Sequence, residues 1–460
     1  VTLARDLARR VRALSRGSLP PEVAAMARLH LLDAIGVGLA SAGSEAGAPY
    51  RRYAAGLGPG SASLIGIPGR VAPAAAALVN GGLMHGLEFD DTHTGSIVHG
   101  SAVLAPAALA AAEAAGVSGS ALTTAYAVGW EVLVRIGLAA PGAFQARGFQ
   151  VTSVGGALVA ALVAADLAGL TEDETVAAMG IGLSGASGVF EFLTNGASVK
   201  SLHPGLAAQA GLNAADLARA GLTGPETAFE GRCGLFSAFA GDARFAEVFS
   251  SSLEGLGTEW HLPRAAFKFH PCCHYLHPFI EAAGLLADRG VTADDVTALT
   301  CRVPAGAAPI ICEPWDAKQA TASGHAARWS LPVTVAARLV EGRVDLATFE
   351  APASEPVLAL ARRIAWEPLA DARFPDVFEA EIIAETSDGL RHEIRVDDVY
   401  GNAGRPAGDD AVRGKFRSNA ARILAPEGTA SLEAAIDALA QVPRLDALTL
   451  ALSNSVRSDA

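Results

Sequence analysis

From residue 20 to about 265, apolar residues recur three or four positions apart, with Gly, Pro or Ser at the joints. PPEVAAMARLHLLDAIGVGLAS, APAAAALVNGGLMHGLEF, SAVLAPAALAAAEAA, SALTTAYAVGWEVLVRIGLAA and TEDETVAAMGIGLSGA each show this spacing, which predicts a succession of helices. Beyond WHLPRAAFKFHPCCHY the period shortens. VTALTCRVP, DVFEAEIIAET and LRHEIRVDD alternate like strands around the turn TSDG at 386 to 389. GNAGRPAGDD reads as a linker, and the tail from about 410 returns to helix with SLEAAIDALAQV. The pattern therefore predicts a mostly α fold. A large all-helical domain takes residues 1–266, with 401–460 returning to it, and a smaller α+β domain takes 267–400. There is no repeat of fixed period, low-complexity tract or sustained heptad run.

Composition narrows the class. Of 460 residues 51% are apolar and 18% charged, the balance of a compact globule with extensive buried surface and room for a subunit interface. A formal charge of −13 argues against a nucleic-acid or anionic-membrane surface, because both need clustered cations. VTLARDLARRVRALSRGSLPPEVAAMARLH lacks the apolar stretch and cleavage site of a signal peptide. Apolar windows such as GGALVAALVAADLAGL are rich in small residues and broken by Gly and Asp, so they read as buried helices. The expectation is a cytoplasmic protein. Its five cysteines, at 233, 272, 273, 301 and 312, have no zinc-type or cluster-type spacing and are expected to be reduced thiols.

Candidate chemistry concentrates in HGLEFDDTHTGSIVHG, residues 85–100. The first helix is expected to end near Asp90 and Asp91, and the next to begin near His99 to Ser101, with a short loop between them. Such a junction gathers acids, hydroxyls and His99 between helices. Asp91, His93 and His99 offer three metal ligands, but their spacing matches no compact zinc motif. The plainer alternative makes Asp90 or Asp91 a helix-end cap and the histidines solvated. Two further segments add cations. Lys200 and His203 precede a helix of small residues, and Lys268 precedes a Pro271 turn and a helix carrying His274 and His277.

These segments together resemble the MmgE/PrpD family, which includes 2-methylcitrate dehydratases, cis-aconitate decarboxylases and iminodisuccinate epimerases. The matching stretches are VNGGLMHGLEFDDTHTGSIVHGSAVLAPAALAAAE (79–113), SVKSLHPGLAAQAGLNAADLARAGLTGPETAFEG (198–231), FKFHPCCHYLHPFIEA (267–282) and RWSLPVTVAARLVEGRV (328–344). The resemblance covers nearly the whole chain, and it is the combination that is specific. It implies a helical domain built from both termini, an α+β lid, a homodimer, a site in the cleft between domains and chemistry without metal or organic cofactor. By motif position, Asp91, Thr92, His99, Lys200, His203 and Lys268 carry over as site residues.

The chain departs from the family pattern at three places. Glu88 stands where relatives often have Asp, Gln150 where they have a site histidine, and Val333 where they often have Tyr. Family substrates carry two or three carboxylates, and negative charge builds as a proton or carbon dioxide leaves. Lys200 and Lys268 are the candidates for holding those carboxylates, with His203 and Arg328 assisting. Glu88, Thr92 and Gln150 complete the candidate binding set. His99 is assigned as the acid or base and Asp91 as its orienting or activating partner.

The favoured reaction is dehydration of a 2-methylcitrate-like hydroxy acid, with epimerisation or cis-aconitate-type decarboxylation as alternatives. A non-catalytic carboxylate-binding dimer and a metal hydrolase built on Asp91, His93 and His99 are competing classes. Cys272 and Cys273 read as small apolar core residues, and Trp130, Trp315 and Trp329 as core or interface aromatics. Glu191 and Asn195 lie near Lys200 without an assigned role.

Overall fold

A computed structural model describes residues 1–194, 197–375 and 377–453. The chain forms two compact units, one of residues 1–267 with 408–460 and the other of residues 268–407.

The first unit is built on helices that are apolar all round. Val151–Leu167, VTSVGGALVAALVAADL, buries nearly every side chain, as a helix does when neighbours surround it. Gly100–Ala115 and Gly119–Ala139 pack beside it, with Pro73–His85 and His203–Arg219 completing the cluster. Ser118 caps Gly119–Ala139 through the Ala121 amide, and Thr171 with Glu174 forms a capping box on Glu172–Ser184, each satisfying amides that have no partner within the helix. Only a bare backbone fits where two of these helices cross. A Cβ on Gly81 would meet the Gly205 Cα at 2.6 Å. That close crossing sets the end of Pro73–His85 beside the start of His203–Arg219.

Pro21–Ala42 is, among the described residues, the one helix long and apolar enough to cross a membrane. Most of it is buried inside this unit, and its polar residues His30 and Asp33 find partners there. The returning segment supplies Asp409–Ala420, which packs against Pro21–Ala42, followed by Pro426–Asp437 and Asp446–Ser453. The helical pattern passes over one feature, since Pro59–Ser63 pairs antiparallel with Arg70–Val71 in a two-stranded ribbon. Gly and Pro break up PGSASLIGIPGRV, leaving the segment too irregular to show either period.

The second unit carries a four-stranded sheet. Val296–Val303 lies between Ile364–Pro368, which runs parallel to it, and Ala380–Thr386, which runs antiparallel; Arg391–Val396 closes the other edge. The 386–389 turn joins the last two strands, with Gly389 at φ +84°. Arg391–Val396 buries Ile394 and Val396 and exposes alternate residues, the half-covered pattern its sequence predicts. The helix His277–Asp288 covers the sheet. Ile364–Pro368 escaped the sequence reading because a five-residue edge strand ending in Pro shows no clean alternation. Asp376, at the head of the expected DVFEAEIIAET strand, lies outside the described residues.

Candidate active site

The loop of residues 86–99 is held on both flanks. Pro73–His85 ends at His85, five residues before Asp90, so the expected boundary near Asp90 and Asp91 moves back by more than a turn. Glu88 then adopts φ +53°, a left-handed conformation that reverses the chain at some cost in strain. At the far end His99 immediately precedes Gly100–Ala115. Gly100 is required there, because a Cβ would strike the Trp130 indole at 2.4 Å. A two-way backbone bridge between Thr92 and Ala266 pins the middle of the loop, with N–O distances of 3.1 and 2.8 Å. Phe267 stacks on His30 at 4.0 Å, and Lys268 is the next residue in the chain.

Asp90 is the centre of the polar cluster. Its Oδ2 lies 2.8 Å from Nδ1 of His85 and 3.1 Å from Nδ1 of His99. The carboxyl is fully buried. Burial alone would raise its pKa, but the two imidazoles outweigh burial and hold it well below the ordinary carboxylate range. The His99 Nδ1 also lies 3.1 Å from the Asp91 carbonyl and 3.3 Å from the Thr92 hydroxyl. Three oxygens around one nitrogen place its proton on Nδ1 and give the chemistry to Nε2. Thr152 Oγ1 fixes the backbone by accepting from the His99 amide at 3.0 Å.

Asp91 does a different job from the one expected of it. Its carboxylate accepts from His30 Nδ1 at 2.7 Å, from the Ser101 amide at 3.2 Å and from the Ser101 hydroxyl. Tyr126 in turn bonds Ser101. The carboxylate that orients His99 therefore belongs to Asp90, and Asp91 contributes only its main-chain carbonyl. Behind it Lys415, from the returning segment, pairs with Asp33 at 2.8 Å and donates to the Phe89 carbonyl at 2.8 Å. Its ammonium also sits 4.0 Å from the centre of the Phe89 ring. Burial raises the Asp33 carboxyl and lowers the Lys415 ammonium, each shift opposed by the other group's charge.

The metal set of Asp91, His93 and His99, a competing reading of the sequence, is not assembled. His93 Nδ1 bonds Ser96 at 2.9 Å, and burial, with His261 and Arg264 nearby, pushes its pKa down to about 3. Among the described residues, the set whose ligand atoms lie within 4.8 Å of one another is His85, Asp90 and His99. Both imidazoles present Nδ1 to one carboxylate oxygen, so a metal would have to displace the protons that make those bonds.

The other expected residues fall in three places. Gln150, at the head of Val151–Leu167, joins the cluster: its Oε1 is 2.8 Å from His203 Nδ1, and its Nε2 is 3.5 Å from His85 Nε2. His203 is buried, and burial, with His85 and Lys200 nearby, pushes its pKa down to about 4. Lys200 pairs with Glu88, so the expected carboxylate clamp already holds a carboxylate of its own chain. Lys268, Arg328 and Val333 are buried in the second unit. Arg328 lies over the Phe349 ring at 5.4 Å, and Val333 sits in the first turn of Leu331–Val340. Cys272 and Trp130 are core residues, His274 and His277 are buried, and Glu191 is exposed. Asn195 lies outside the described residues.

Sequence reasoning passed over four contributors: His85, Asp90 as the orienting acid, His30 and Lys415. His85 and Asp90 were in the quoted stretch, but their partners depend on which way a non-periodic loop turns. The lysine at 415 is one polar residue on an amphipathic helix, with no local mark of its function.

Residues 5–248 match the MmgE/PrpD N-terminal domain, and residues 270–441 match the MmgE/PrpD C-terminal domain. The chain is 30% identical to the cis-aconitate decarboxylase-like protein oryM of Aspergillus oryzae, over 93% of this chain and 92% of that protein. It is 28% identical to the cis-aconitate decarboxylase of Mus musculus, over 94% and 89% of the two chains. The human cis-aconitate decarboxylase is 28% identical, over 94% and 90%. Matches across both domains and nearly the full length of these relatives make this chain a member of the MmgE/PrpD family.

Proposed function

We propose that this protein is a lyase that decarboxylates a small unsaturated polycarboxylate of the cis-aconitate kind, with His99 as the proton donor. The observation that carries the reading is the hold on His99. Its Nδ1 is committed to Asp90, the Asp91 carbonyl and Thr92, and an ionised Asp90 favours the imidazolium form. The relatives named above support this choice of reaction.

In such a substrate a carboxymethyl group sits next to a carbon–carbon double bond. As carbon dioxide leaves, the pair from the broken C–C bond becomes a new double bond. The old π pair moves to the far carbon, where the adjoining carboxylate spreads the charge. Nε2 of His99 protonates that carbon, and solvent then restores the imidazolium. Lys200 can give further N–H bonds to a substrate carboxylate while holding Glu88, because an ammonium has three donors.

The dehydration favoured by the sequence reading needs a second group to protonate a departing hydroxyl. Decarboxylation asks only for a clamp and one donor, which suits a cluster where Gln150 stands in place of a titratable histidine.

The test is to incubate the purified protein with cis-aconitate and follow carbon dioxide and the organic product by mass spectrometry. Release of one carbon dioxide per substrate, unaffected by chelator, is expected. Addition of water to the double bond would favour the hydro-lyase reading, and loss of turnover with chelator would favour a metal on His85, Asp90 and His99.

A further inference from the structure

Five side chains, His203, Gln150, His85, Asp90 and His99, form one chain of contacts with successive separations of 2.8, 3.5, 2.8 and 3.1 Å. Four of them are at least 96% buried, since Gln150 is 4% exposed, His203 3%, and His85 and Asp90 0%. The proton positions along it follow from one end. An ionised carboxylate only accepts, so the Nδ1 atoms of His85 and His99 must both donate to Asp90. The group facing His85 Nε2 is the Gln150 NH2, which only donates, so that nitrogen must accept and the His85 proton stays on Nδ1. The Gln150 carbonyl oxygen is then turned to His203. The His203 Nδ1 must then carry a hydrogen. The flipped amide would set an oxygen against the His85 lone pair.

We propose that Gln150 is a positioning residue that sets the proton arrangement of the site. Its amide holds His203 and His85 as neutral Nδ1–H tautomers and leaves His99 as the one imidazole of the chain that exchanges a proton. An amide has a donor end and an acceptor end and does not titrate near neutral pH, so the arrangement persists across the working range. A histidine at position 150 would instead introduce a second titrating imidazole and let protons redistribute.

The helix start that carries Gln150 is itself fixed. Its amide donates to the Gly188 carbonyl at 3.0 Å, and Ser153 Oγ donates to the His203 carbonyl at 3.0 Å. The charged and titratable groups around this chain are Glu88, Asp90 and Asp91 from the loop, Lys200 ahead of His203, and, behind Asp91, His30 with the Asp33–Lys415 pair.

This inference rests on the reading of His99 as proton donor, and histidine-selective 15N NMR separates the two. In the wild-type protein near pH 7, His85 and His203 should each show a protonated Nδ1 and an unprotonated Nε2. Gln150→Glu presents an acceptor to both imidazoles, so His85 should then carry protons on both nitrogens. Gln150→Leu should mix the tautomers of His85 and lower kcat on the order of 10- to 100-fold, the usual cost of losing an orienting partner, with KM nearly unchanged. The kcat profile should show one ionisation between about pH 5 and 8 in the wild type, and Gln150→His should add a second. A wild-type His85 protonated on Nε2, or tautomers unchanged in both Gln150→Glu and Gln150→Leu, would overturn the inference. A protein that shows the locked tautomers yet releases no carbon dioxide would leave it standing and remove the proposed reaction.

Discussion

Asp90 and Asp91 are adjacent and equally buried, yet they face opposite parts of the first unit. Asp90 turns toward imidazoles on the side of Gln150 and His203, where its charge bears on a proton that can move. Asp91 turns toward His30, Ser101 and Tyr126, with Lys415 and Asp33 behind, where every group holds the loop to the helices. A one-residue step thus separates a carboxylate beside the proposed proton donor from one that anchors the loop. What distinguishes them is the set of partners each meets, not exposure or charge.

That contrast is open to direct attack, and the largest effect is on stability. Asp91→Ala leaves His30 and Ser101 buried without their acceptor, and breaking one side of such a pair costs about 3–5 kcal/mol. Thermal or urea unfolding should show that loss. Asp90→Asn keeps the shape and removes the charge. It should lower turnover on the order of 100-fold, as expected when a fixed electrostatic partner is lost, while moving the melting temperature much less than Asp91→Ala does. If the two substitutions exchanged effects, the assignment of the two carboxylates would be reversed.

The smallest effect is in the acid limb of stability. His203 is lowered from 6.5 to about 4, so as pH falls from 6.5 toward 4 the unfolded chain takes up a proton there before the folded one does. Stability is therefore lost on acidification through that window and unaffected above it. His203→Gln should flatten this part of the curve, with one fewer proton taken up on unfolding, measured by urea titration at a series of pH values. Asp90 acts in the same direction at lower pH: its depressed carboxyl contributes stability above the unfolded value of about 3.9 that is lost as pH falls through the folded value.

The two regions also differ in how far sequence could reach them. The helices entering and leaving the loop were legible, because apolar spacing marks VNGGLMHGLEF and SAVLAPAALAAAE, and the strands of the second unit announced themselves by alternation around TSDG. His99 was legible as a titratable residue at a helix start. The division of labour between Asp90 and Asp91 was not, since it depends on the early helix end at His85 and the positive φ of Glu88, neither of which follows a period. Partners such as His30 and Lys415 stand 61 and 326 residues from their contacts at Asp91 and Phe89, and only the packed fold brings them in. Gln150, visible in the sequence as a missing histidine, becomes intelligible once its amide is seen between two imidazoles.

The central claim, that His99 protonates the far carbon of the old double bond as carbon dioxide leaves, is tested most directly with cis-aconitate in deuterated water, comparing wild type with His99→Ala by NMR. The account predicts one deuterium per product molecule, on the saturated carbon next to one of the two remaining carboxylates. It also predicts a fall in turnover of about 10²–10⁴-fold in the variant, the usual contribution of a positioned general acid. Wild-type rates in His99→Ala, or a wild-type product with no solvent deuterium on that carbon, would contradict it.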